Sequence, residues 1–454
     1  MTNPSAPQIL PVSAFALPAL LCSVVATVLE SSAVAVALPA IASDFGVSAT
    51  LATWVMAASQ LVIVALLLPM AALGEVLGYR RVLLASLGLY AAASVVCILA
   101  PGFGWVVAGR ALQAVGTAGA MSLGFAMLRA IYPDDRLGTA VGLMAATVAI
   151  ASSAGPALSG VIIALVSWRG VFALLAAVGL LAVLLGSAAL PRVPPSGKPY
   201  DLPGAAMVAG MLAAALIGIN GLANGWSVWI LMVAALAFAL LLSAVLARSL
   251  GTEAPVFPVD LIARPVFSLS VSASICAFVA QTLGFILLPF YLLTGIGMGE
   301  MQMALTLSVW PAATALLAPV IGRFSDRLPP GPTGAVGLVL LGFGFALLAG
   351  IDAETPPAGI AARLALCGIG FAIFQTPNNR LIMLSAPRAR SGAASGMLSV
   401  ARQFGRAIGT AMAAFALIAG PAASLGAMWA AAAVAALGAV ASLGRAWAAR
   451  KAPV

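Results

Sequence analysis

The stretch RLGTAVGLM at residues 136–144 returns as RSGAASGML at residues 390–398, at an offset of 390 − 136 = 254 positions. The same offset of 254 positions separates Gly155 from Gly409. Internal repeats of this kind indicate an architecture before any single residue does. The chain is therefore predicted to consist of two similar halves.

Two further pairs of landmarks lie close to this offset. Glu75 and Asp326, which each follow a long apolar run, are 251 positions apart. Arg110 and Arg363, which each begin a stretch rich in glycine and alanine, are 253 positions apart. Both pairs support the division into two halves.

The composition indicates a membrane protein. Hydrophobic residues make up 63% of the 454 residues and charged residues only 7%, whereas a soluble domain carries about 25% charged residues. Apolar runs of about 20 residues, the length that crosses about 30 Å of hydrocarbon, recur along the chain. The predicted fold class is an all-α polytopic membrane protein.

The apolar runs predict fourteen transmembrane spans in groups of six, two and six. Residues 1–190 are predicted to form an N-terminal six-helix bundle, residues 191–265 a linker with two extra spans, and residues 266–454 a C-terminal six-helix bundle. The predicted spans lie near residues 13–40, 50–73, 82–101, 104–131, 137–163, 168–190, 203–223, 226–248, 266–293, 301–322, 332–351, 358–385, 391–418 and 423–446.

The basic residues predict the orientation in the membrane. With the N-terminus in the cytoplasm, sixteen of the 21 Lys and Arg residues fall in cytoplasmic loops or the C-terminal tail, and only Arg169 and Arg363 fall outside. This bias follows the positive-inside rule and predicts that both termini are cytoplasmic. The basic residues lie between apolar runs, so the net charge of +9 does not indicate nucleic-acid binding.

The loop after the second span, AALGEVLGYRR at residues 71–81, combines a turn glycine, Gly78, with Glu75 and two arginines. Its echo in the second half is GRFSDR at residues 322–327. Such a cluster can form a charge latch between helices; the alternative is charge that only sets the topology. The loop resembles the signature loop of the major facilitator superfamily, with Ala71 at the usual first glycine and glutamate at the usual aspartate.

Two further segments resemble motifs of this superfamily. RALQAVG at residues 110–116 resembles its Arg-x-x-Gln-Gly segment, and GPALSG at residues 155–160 resembles the Gly-Pro motif of its proton-driven exporters. An arginine this far inside a span is costly unless it is paired or hydrated, which makes Arg110 a functional candidate. Glycine and proline permit a bend and close helix approach, although simple packing is the alternative for any one glycine.

The first span resembles that of the fourteen-span drug:proton antiporters, in which an acid precedes Ala-Leu-Pro. Here the stretch is LESSAVAVALP at residues 29–39. The likeness continues in the segments 168–169 (WR), 201–204 (DLPG), 310–311 (WP) and 375–380 (QTPNNR). This resemblance implies the major facilitator fold of two bundles, with alternating access about a central cavity.

Glu30 is the one acid within a predicted span, and the chain has no histidine. A buried proton carrier built from a carboxylate or an imidazole must therefore be Glu30. At about 1.5 Å per residue, Glu30 lies ~14 Å and Arg110 ~9 Å from the outer ends of their spans, so their similar depths allow the two to meet. They are predicted to couple transport to protons; the alternative is a static structural pair.

Polar and aromatic residues within the spans form the predicted substrate site: Trp54, Gln60, Gln113, Gln281, Trp310, Gln375, Asn378, Arg402 and Gln403. Arg402 and Arg406 share one face of the thirteenth span. They either face a wet cavity, extend to the membrane surface, or bind anionic parts of substrates. The predicted gating residues are Glu75, Gly78, Arg80, Arg81, Arg136, Gly155, Pro156, Gly160, Asp326, Arg327, Gly405 and Gly409.

The predicted function is a proton-coupled exporter of amphipathic, drug-like compounds in a bacterial cytoplasmic membrane. Its predicted partners are a small-molecule substrate, protons and the lipid bilayer; we expect a monomer and no metal or cofactor. The alternative is an exporter of one endogenous metabolite, such as a sugar, an amino-acid derivative or an organic anion.

The sequence also bears on three other classes of protein. No G-x-x-x-x-G-K-[ST] sequence occurs, which excludes an ATP-driven pump on this chain. No nucleophile–base constellation supports an integral-membrane enzyme. A sensor that binds its ligand without transporting it stays open.

Overall fold

The structure, a computed structural model, describes residues 14–252, 255–418 and 421–451 of the chain. Within those ranges it contains fourteen α-helices of at least 19 residues, two α-helices of four residues, a π-helical segment at Tyr291–Gly295 and a 3-10 helical turn at Arg388–Arg390. Their bounds are α1 (Ala16–Phe45), α2 (Ala49–Ala52), α3 (Trp54–Leu77), α4 (Tyr79–Ile98), α5 (Phe103–Ile131), α6 (Leu137–Leu165), α7 (Trp168–Ala189), α8 (Leu202–Ala223), α9 (Val228–Ser249), α10 (Val259–Ile262), α11 (Pro265–Phe290), α12 (Glu300–Ser325), α13 (Pro330–Leu348), α14 (Pro357–Ser385), α15 (Ser391–Ile418) and α16 (Pro421–Lys451).

Short connections turn successive helices back on one another. Gly78, with φ of 93°, lies alone between α3 and α4, and Gly46, with φ of 61°, ends α1. Glycine reaches positive φ without the steric cost that a Cβ imposes. The start of α8 is fixed by a side chain instead, because the Asp201 carboxylate accepts the backbone N–H of Gly204 at 3.0 Å.

The helices extend further toward the Gly78 turn than the sequence predicts. The second long helix ends at Leu77 rather than at residue 73, and the third begins at Tyr79 rather than at residue 82. Glu75 and Arg80, predicted in a loop, therefore lie in helices. Because a single glycine makes the turn, its neighbours keep helical geometry.

Most of the long helices could cross a membrane. Thirteen helices in the described residues are long and apolar enough to do so, and α15 is the long helix that does not qualify. Arg402, Gln403 and Arg406 lower the hydropathy of α15. This helix packs against α3, α5, α8, α11 and α16, and along it Gln403 is buried and Arg402 half-buried. The protein is multi-pass, and fourteen crossings stay a prediction.

The two halves of the chain pack by the same plan. In the first half α1 packs against α6 and α7, α3 against α5, and α4 against α5 and α7. In the second half α11 packs against α15 and α16, α12 against α14, and α13 against α14 and α16. The repeat in the sequence therefore corresponds to a repeat in helix packing.

The halves meet along two equivalent seams, α6 against α12 and α3 against α15. A Cβ added at Gly142 would be 2.3 Å from the carbonyl oxygen of Ala318 on α12, and one added at Gly396 would be 2.7 Å from Ala71 Cβ on α3. Gly142 and Gly396 are 396 − 142 = 254 positions apart. The same repeat thus supplies the glycine of close approach on each seam.

Both contacts lie at the end of the molecule where α3 and α12 end and α6 and α15 begin; we call it the basic end and the opposite one the far end. Toward the far end a cavity separates α6 from α12. Pro156 in the interior of α6 lines this cavity, as does Ala304, four residues after the start of α12 at Glu300. The halves are therefore closed at the basic end and separated toward the far end.

The two extra long helices lie at the periphery. α8 packs against α3 and α15, and α9 packs against α8. α9 exposes apolar side chains over its length, including Trp229 at 72%, Val233 at 66% and Leu236 at 60%. In a membrane this surface faces lipid.

Candidate functional site

An acid and an arginine meet in the interior of the first half. Glu30 of α1 and Arg110 of α5 are each 1% exposed, and Arg110 Nη1 donates to Glu30 Oε1 at 2.7 Å. The predicted contact between these two residues is confirmed. Both line a cavity of about 130 Å³, which we call the Glu30 cavity.

Neutral side chains complete this ion pair. Thr117 donates its hydroxyl to Glu30 Oε2, Arg110 Nη2 donates to Ser59 Oγ at 2.9 Å, and Gln113 Oε1 accepts from Arg110 Nη1. A buried ion pair is tolerated when such hydrogen bonds satisfy its remaining donors and acceptors. Protonation of Glu30 would leave Arg110 with neutral acceptors only, so a proton here changes the forces between α1, α3 and α5.

A second, larger cavity of about 700 Å³ adjoins the first, between α6, α11 and α12; we call it the Trp310 cavity. The two cavities share Gln375, Arg402 and Arg406 among their lining residues. In the described part of the chain Glu30 is the acid that lines them, and no other Asp or Glu does.

Six of the predicted substrate-binding residues line these cavities. The Glu30 cavity is lined by Gln60, Gln375, Arg402 and Gln403, and the Trp310 cavity by Gln281, Gln375, Trp310 and Arg402. Trp310 is 1% exposed and its ring packs against three phenylalanines, at centroid distances of 5.0, 5.6 and 6.5 Å. The large cavity therefore has a rigid aromatic wall.

Three predicted substrate-binding residues do not line either cavity. Gln113 is 0% exposed, and its Oε1 accepts a hydrogen bond from Arg110 Nη1. Asn378 is also 0% exposed, and its Nδ2 donates to Ser274 Oγ at 2.7 Å rather than to a cavity. Trp54 is 51% exposed at the start of α3. The prediction for these three residues is corrected accordingly.

The structure instead directs Asn379 toward the cavity. Asn379 lines the Glu30 cavity, and its buried Nδ2 has no hydrogen-bond partner among the described residues. One step along a helix rotates a side chain by about 100°, so the sequence could identify the Asn378–Asn379 pair without showing which amide faces inward. Thr117 and Ser399 also line this cavity, and the sequence carried no signal that separated them from other hydroxyl residues.

At the basic end, two acids each hold the start of a helix from the other half. Glu75 Oε1 accepts the backbone N–H of Ala393 at 2.7 Å, and Asp326 Oδ1 accepts the backbone N–H of Gly138 at 2.8 Å. A carboxylate in this position satisfies a free N–H group and interacts favourably with the helix dipole. The acids of the predicted latch therefore lie on the two seams, and their gating role stays a prediction.

The cations of the latch differ from the prediction. Glu75 pairs with Arg390 at 3.0 Å, rather than with Arg80 or Arg81. Arg80 Nη2 donates to the Ser187 carbonyl, and Arg81 is exposed. The reason is that both residues begin α4, which packs against α7, away from the α3–α15 seam.

The second acid of the latch also has an unpredicted partner. Asp326 pairs with Arg380 at 3.0 Å. Arg136 and Arg327, predicted as gating residues, are exposed and form no ion pair with any residue the structure describes. Both arginines are therefore assigned to the surface rather than to the latch.

Arg390 is the gating candidate that sequence reasoning did not select, although the repeat aligned it with Arg136. It bridges Glu75 and Asp260, with Arg390 Nη2 at 3.0 Å from Asp260 Oδ1. Burial lowers the pKa of Arg390, but its hydrogen bond to Asp260 and the charge of Glu75 outweigh burial and raise that pKa above its usual value. Arg390 is therefore a permanent cation at the basic end.

The predicted gating glycines divide into two groups. A Cβ added at Gly155 would be 2.0 Å from Ser32 Oγ on α1, and one added at Gly405 or Gly409 would be 2.8 Å from a backbone carbonyl of α11. These three glycines permit close helix approach. Gly160 has no atom within 4 Å of such a Cβ, which removes the packing reason for its prediction.

Comparison with known proteins agrees with this architecture. The family model of the Major Facilitator Superfamily matches residues 20–410. The chain is 37% identical over 395 residues to the uncharacterized transporter YebQ of Escherichia coli (strain K12), covering 86% of each protein. It is 27% identical over 390 residues to the riboflavin transporter RibZ of Clostridioides difficile (strain 630), covering 84% of this chain and 83% of RibZ.

A further relative and a solved structure extend the comparison. The multidrug efflux pump LfrA of Mycolicibacterium smegmatis (strain ATCC 700084 / mc(2)155) is 28% identical over 405 residues, covering 87% of this chain and 78% of LfrA. The crystal structure of the human organic anion transporter MFSD10 (TETRAN) superposes with a TM-score of 0.67 at 16% identity, covering 94% and 99% of the two chains. At that identity the likeness concerns the fold alone. The family match covers most of the chain, and this chain belongs to the Major Facilitator Superfamily.

Proposed function

We propose that this protein is a proton-coupled antiporter that exports amphipathic organic compounds across a bacterial cytoplasmic membrane by alternating access. Both termini are taken to be cytoplasmic, which makes the basic end the cytoplasmic end. The chain is taken to act as a monomer, with bundles at residues 1–190 and 266–454 and two extra spans between them.

The observation that carries the proposal is the position of Glu30. Among the described residues it is the acid that lines the Glu30 cavity, it is buried, and its partner Arg110 comes from a different helix. An antiporter needs one group that binds a proton in one state and releases it in another. Separation of α1 from α5 would break the contact of Glu30 with Arg110, so binding of a proton and movement of these helices can be coupled.

The seams support the alternating-access part of the proposal. They close the basic end, while the Trp310 cavity separates the halves toward the far end. With the proposed orientation, this arrangement faces outward. A rocking motion that breaks the contacts of Glu75 and Asp326 would expose the cavities to the cytoplasm instead.

The test is substrate flux in proteoliposomes under an imposed pH gradient. Glu30→Gln keeps the size of the side chain but cannot titrate, so we expect it to abolish gradient-driven flux and to retain downhill exchange. Glu30→Asp should retain partial coupling. Glu354→Gln removes an exposed acid and serves as the matched control. Gradient-driven flux of wild-type size from Glu30→Gln would overturn the assignment.

A second candidate function is the transport of one endogenous metabolite. It is favoured by the relative RibZ, a riboflavin transporter that aligns over 84% of this chain. The multidrug relative LfrA favours the broader substrate range. A flux panel of chemically unrelated dyes and single metabolites separates the two, because a metabolite exporter should transport one member and exclude the rest.

A further inference from the structure

Two arginines of α15 lie at mid-depth between the two halves. Arg402 is 11 residues and Arg406 is 15 residues after the start of α15 at Ser391, or about 17 Å and 23 Å at ~1.5 Å per residue. The two side chains lie one helical turn apart, and both line the Glu30 cavity and the Trp310 cavity. Of the three interpretations left open by the sequence, extension to the membrane surface is excluded, because both side chains face a cavity.

These two cations have no counter-charge among the residues that the structure describes. The charged residues that line the cavities within the described chain are Glu30, Arg110, Arg402 and Arg406. Glu30 is already paired with Arg110 at 2.7 Å, and neither Arg402 nor Arg406 forms an ion pair with a described residue. The cavities therefore carry a surplus of two positive charges at a depth where charge is expensive.

The protein compensates these charges only in part. The Arg402 guanidinium carbon lies 4.8 Å from the centroid of the Phe125 ring and 5.8 Å from that of Phe278, and the Arg406 carbon lies 5.6 Å from that of Phe278. Arg402 Nε has no hydrogen-bond partner among the described residues, and Arg406 Nη1 has only a long contact of 3.4 Å to Gln403 Oε1. Aromatic faces attract cations, but they accept no N–H as a carboxylate does.

The space beside the cations suits an apolar body. The Trp310 cavity is lined by the rings of Phe278, Phe285, Trp310 and Phe371, and its volume of about 700 Å³ falls within the ~300–1,000 Å³ of pockets that hold drug-sized ligands. Asn379, with an unpaired amide, supplies a further donor on the Glu30 side. An anionic head and an aromatic or aliphatic body would both find complementary surfaces.

We propose that the transported compound is an organic anion, whose carboxylate or sulfonate binds Arg402 and Arg406 and whose apolar body occupies the Trp310 cavity. This proposal rests on the proposed transport function and specifies its substrate class. Planar guanidinium groups bind carboxylates and sulfonates through paired hydrogen bonds. The apolar part then adds affinity through burial against the aromatic wall.

The test uses the full chain in nanodiscs of phosphatidylcholine and matched probes that share a ring. The anionic probes are 2-naphthoate and 2-naphthalenesulfonate, 2-naphthamide is the neutral probe, and 2-naphthylmethylamine is the cationic probe. We expect the anions to bind about tenfold tighter than the neutral amide. Equal or tighter binding of the neutral or cationic probe, or no binding of either anion, would overturn the proposal.

Variants assign the binding to the two arginines. Arg402→Gln and Arg406→Gln should each weaken 2-naphthoate binding about tenfold, since each removes one charged donor. The corresponding Lys variants should lose less. Arg323→Gln removes an exposed arginine at the basic end and should bind like the wild type. Unfolding midpoints of the ligand-free variants show that each is folded, and unchanged affinity in both folded Gln variants would refute the assignment.

Two further arms separate the remaining explanations. An anionic lipid headgroup has the same chemistry, so binding is repeated in nanodiscs that contain phosphatidylglycerol; full competition by this lipid would assign the site to lipid and overturn the proposal. Flux assays with the same probes distinguish a failure of this inference from a failure of the proposed function. Gradient-driven flux of only neutral or cationic probes would overturn this inference and leave the antiporter proposal intact. Anion binding without any flux would overturn the antiporter proposal and leave the anion site intact.

Discussion

The backbone N–H groups of Thr139 and Ala393 each donate a hydrogen bond to an acid of the opposite half. Thr139 donates to Asp326 Oδ2 at 3.2 Å, and Ala393 donates to Glu75 Oε1 at 2.7 Å. The two donors are 393 − 139 = 254 positions apart, the offset of the repeat. Opening of the basic end must therefore break the same kind of helix cap on both seams.

Asp326→Asn should favour opening at the basic end. Asparagine keeps one acceptor oxygen but loses the negative charge that interacts with the helix dipole, a loss of about 1 kcal/mol in a partly buried position, which changes a two-state population by about fivefold. We expect a corresponding rise in the labelling rate of Ser31→Cys, a Glu30-cavity position, by an impermeant thiol reagent added on the basic-end side, in a background without the four native cysteines. The control is Asp135→Asn, an exposed neighbour of the same region. An unchanged labelling rate would show that the cap does not hold the seam.

Thr117→Val should lower gradient-driven transport. The substitution keeps the shape of the side chain but removes the hydroxyl that donates to Glu30. A hydrogen bond to a charged group contributes about 1.5 kcal/mol. Its loss from the Glu30–Arg110 pair should lower the flux by about tenfold.

The measurement for Thr117 is gradient-driven flux per unit of reconstituted protein. Thr117→Ser retains the hydroxyl and should keep the wild-type flux. Thr147→Val is the matched control, because Thr147 Oγ1 donates to the Leu143 carbonyl of its own helix. Equal flux in Thr117→Val and wild type would mean that this hydroxyl does not support the ion pair.

Gly155→Leu and Gly409→Leu should each impair transport with little loss of membrane abundance. Their added atoms would overlap α1 and α11 respectively, and overpacking of this kind costs about 1–3 kcal/mol. Gly160→Leu is the control, since its Cβ would meet no atom within 4 Å. Flux per unit of protein in membrane vesicles checks the ranking, and equal flux in all three variants would make the duplicated glycines ordinary positions.

Reporter fusions should place the basic end in the cytoplasm. Pro199 lies in the connection before α8, at the basic end, and Pro356 lies before α14, at the far end. A reporter that is active only in the cytoplasm should be active at Pro199 and inactive at Pro356. The reverse pattern would invert the proposed direction of transport, and identical activity at both sites would contradict the alternation of spans.

The sequence predicted the parts of the fold that depend on repetition and on buried charge. Residues 136–144 and 390–398 aligned the halves, and the structure packs them by one plan. Glu30 and Arg110 could be matched because a buried charge in a span requires a partner, and their depths were similar. Such arguments need only position along a helix.

The sequence could not predict contacts that depend on helix rotation or on the approach of the two halves. Asn378 and Asn379 differ by one step of rotation, which decides between a structural amide and a cavity amide. Glu75 pairs with Arg390 rather than Arg80 because the seam, and not the local turn, sets the distances. Periodicity along one chain segment contains no information on either point.

The two seams are not equal in their electrostatics, and this inequality gives the transport cycle an order of events. Asp326 takes its cation, Arg380, from its own half, so it stays neutralised when the halves part. Glu75 takes Arg390 from the opposite half and would lose it at the same moment. Loss of the cation would leave a buried acid unpaired, and this cost opposes separation of the two halves. The α6–α12 seam should therefore open early and the α3–α15 seam late, so that duplicated helices act in succession.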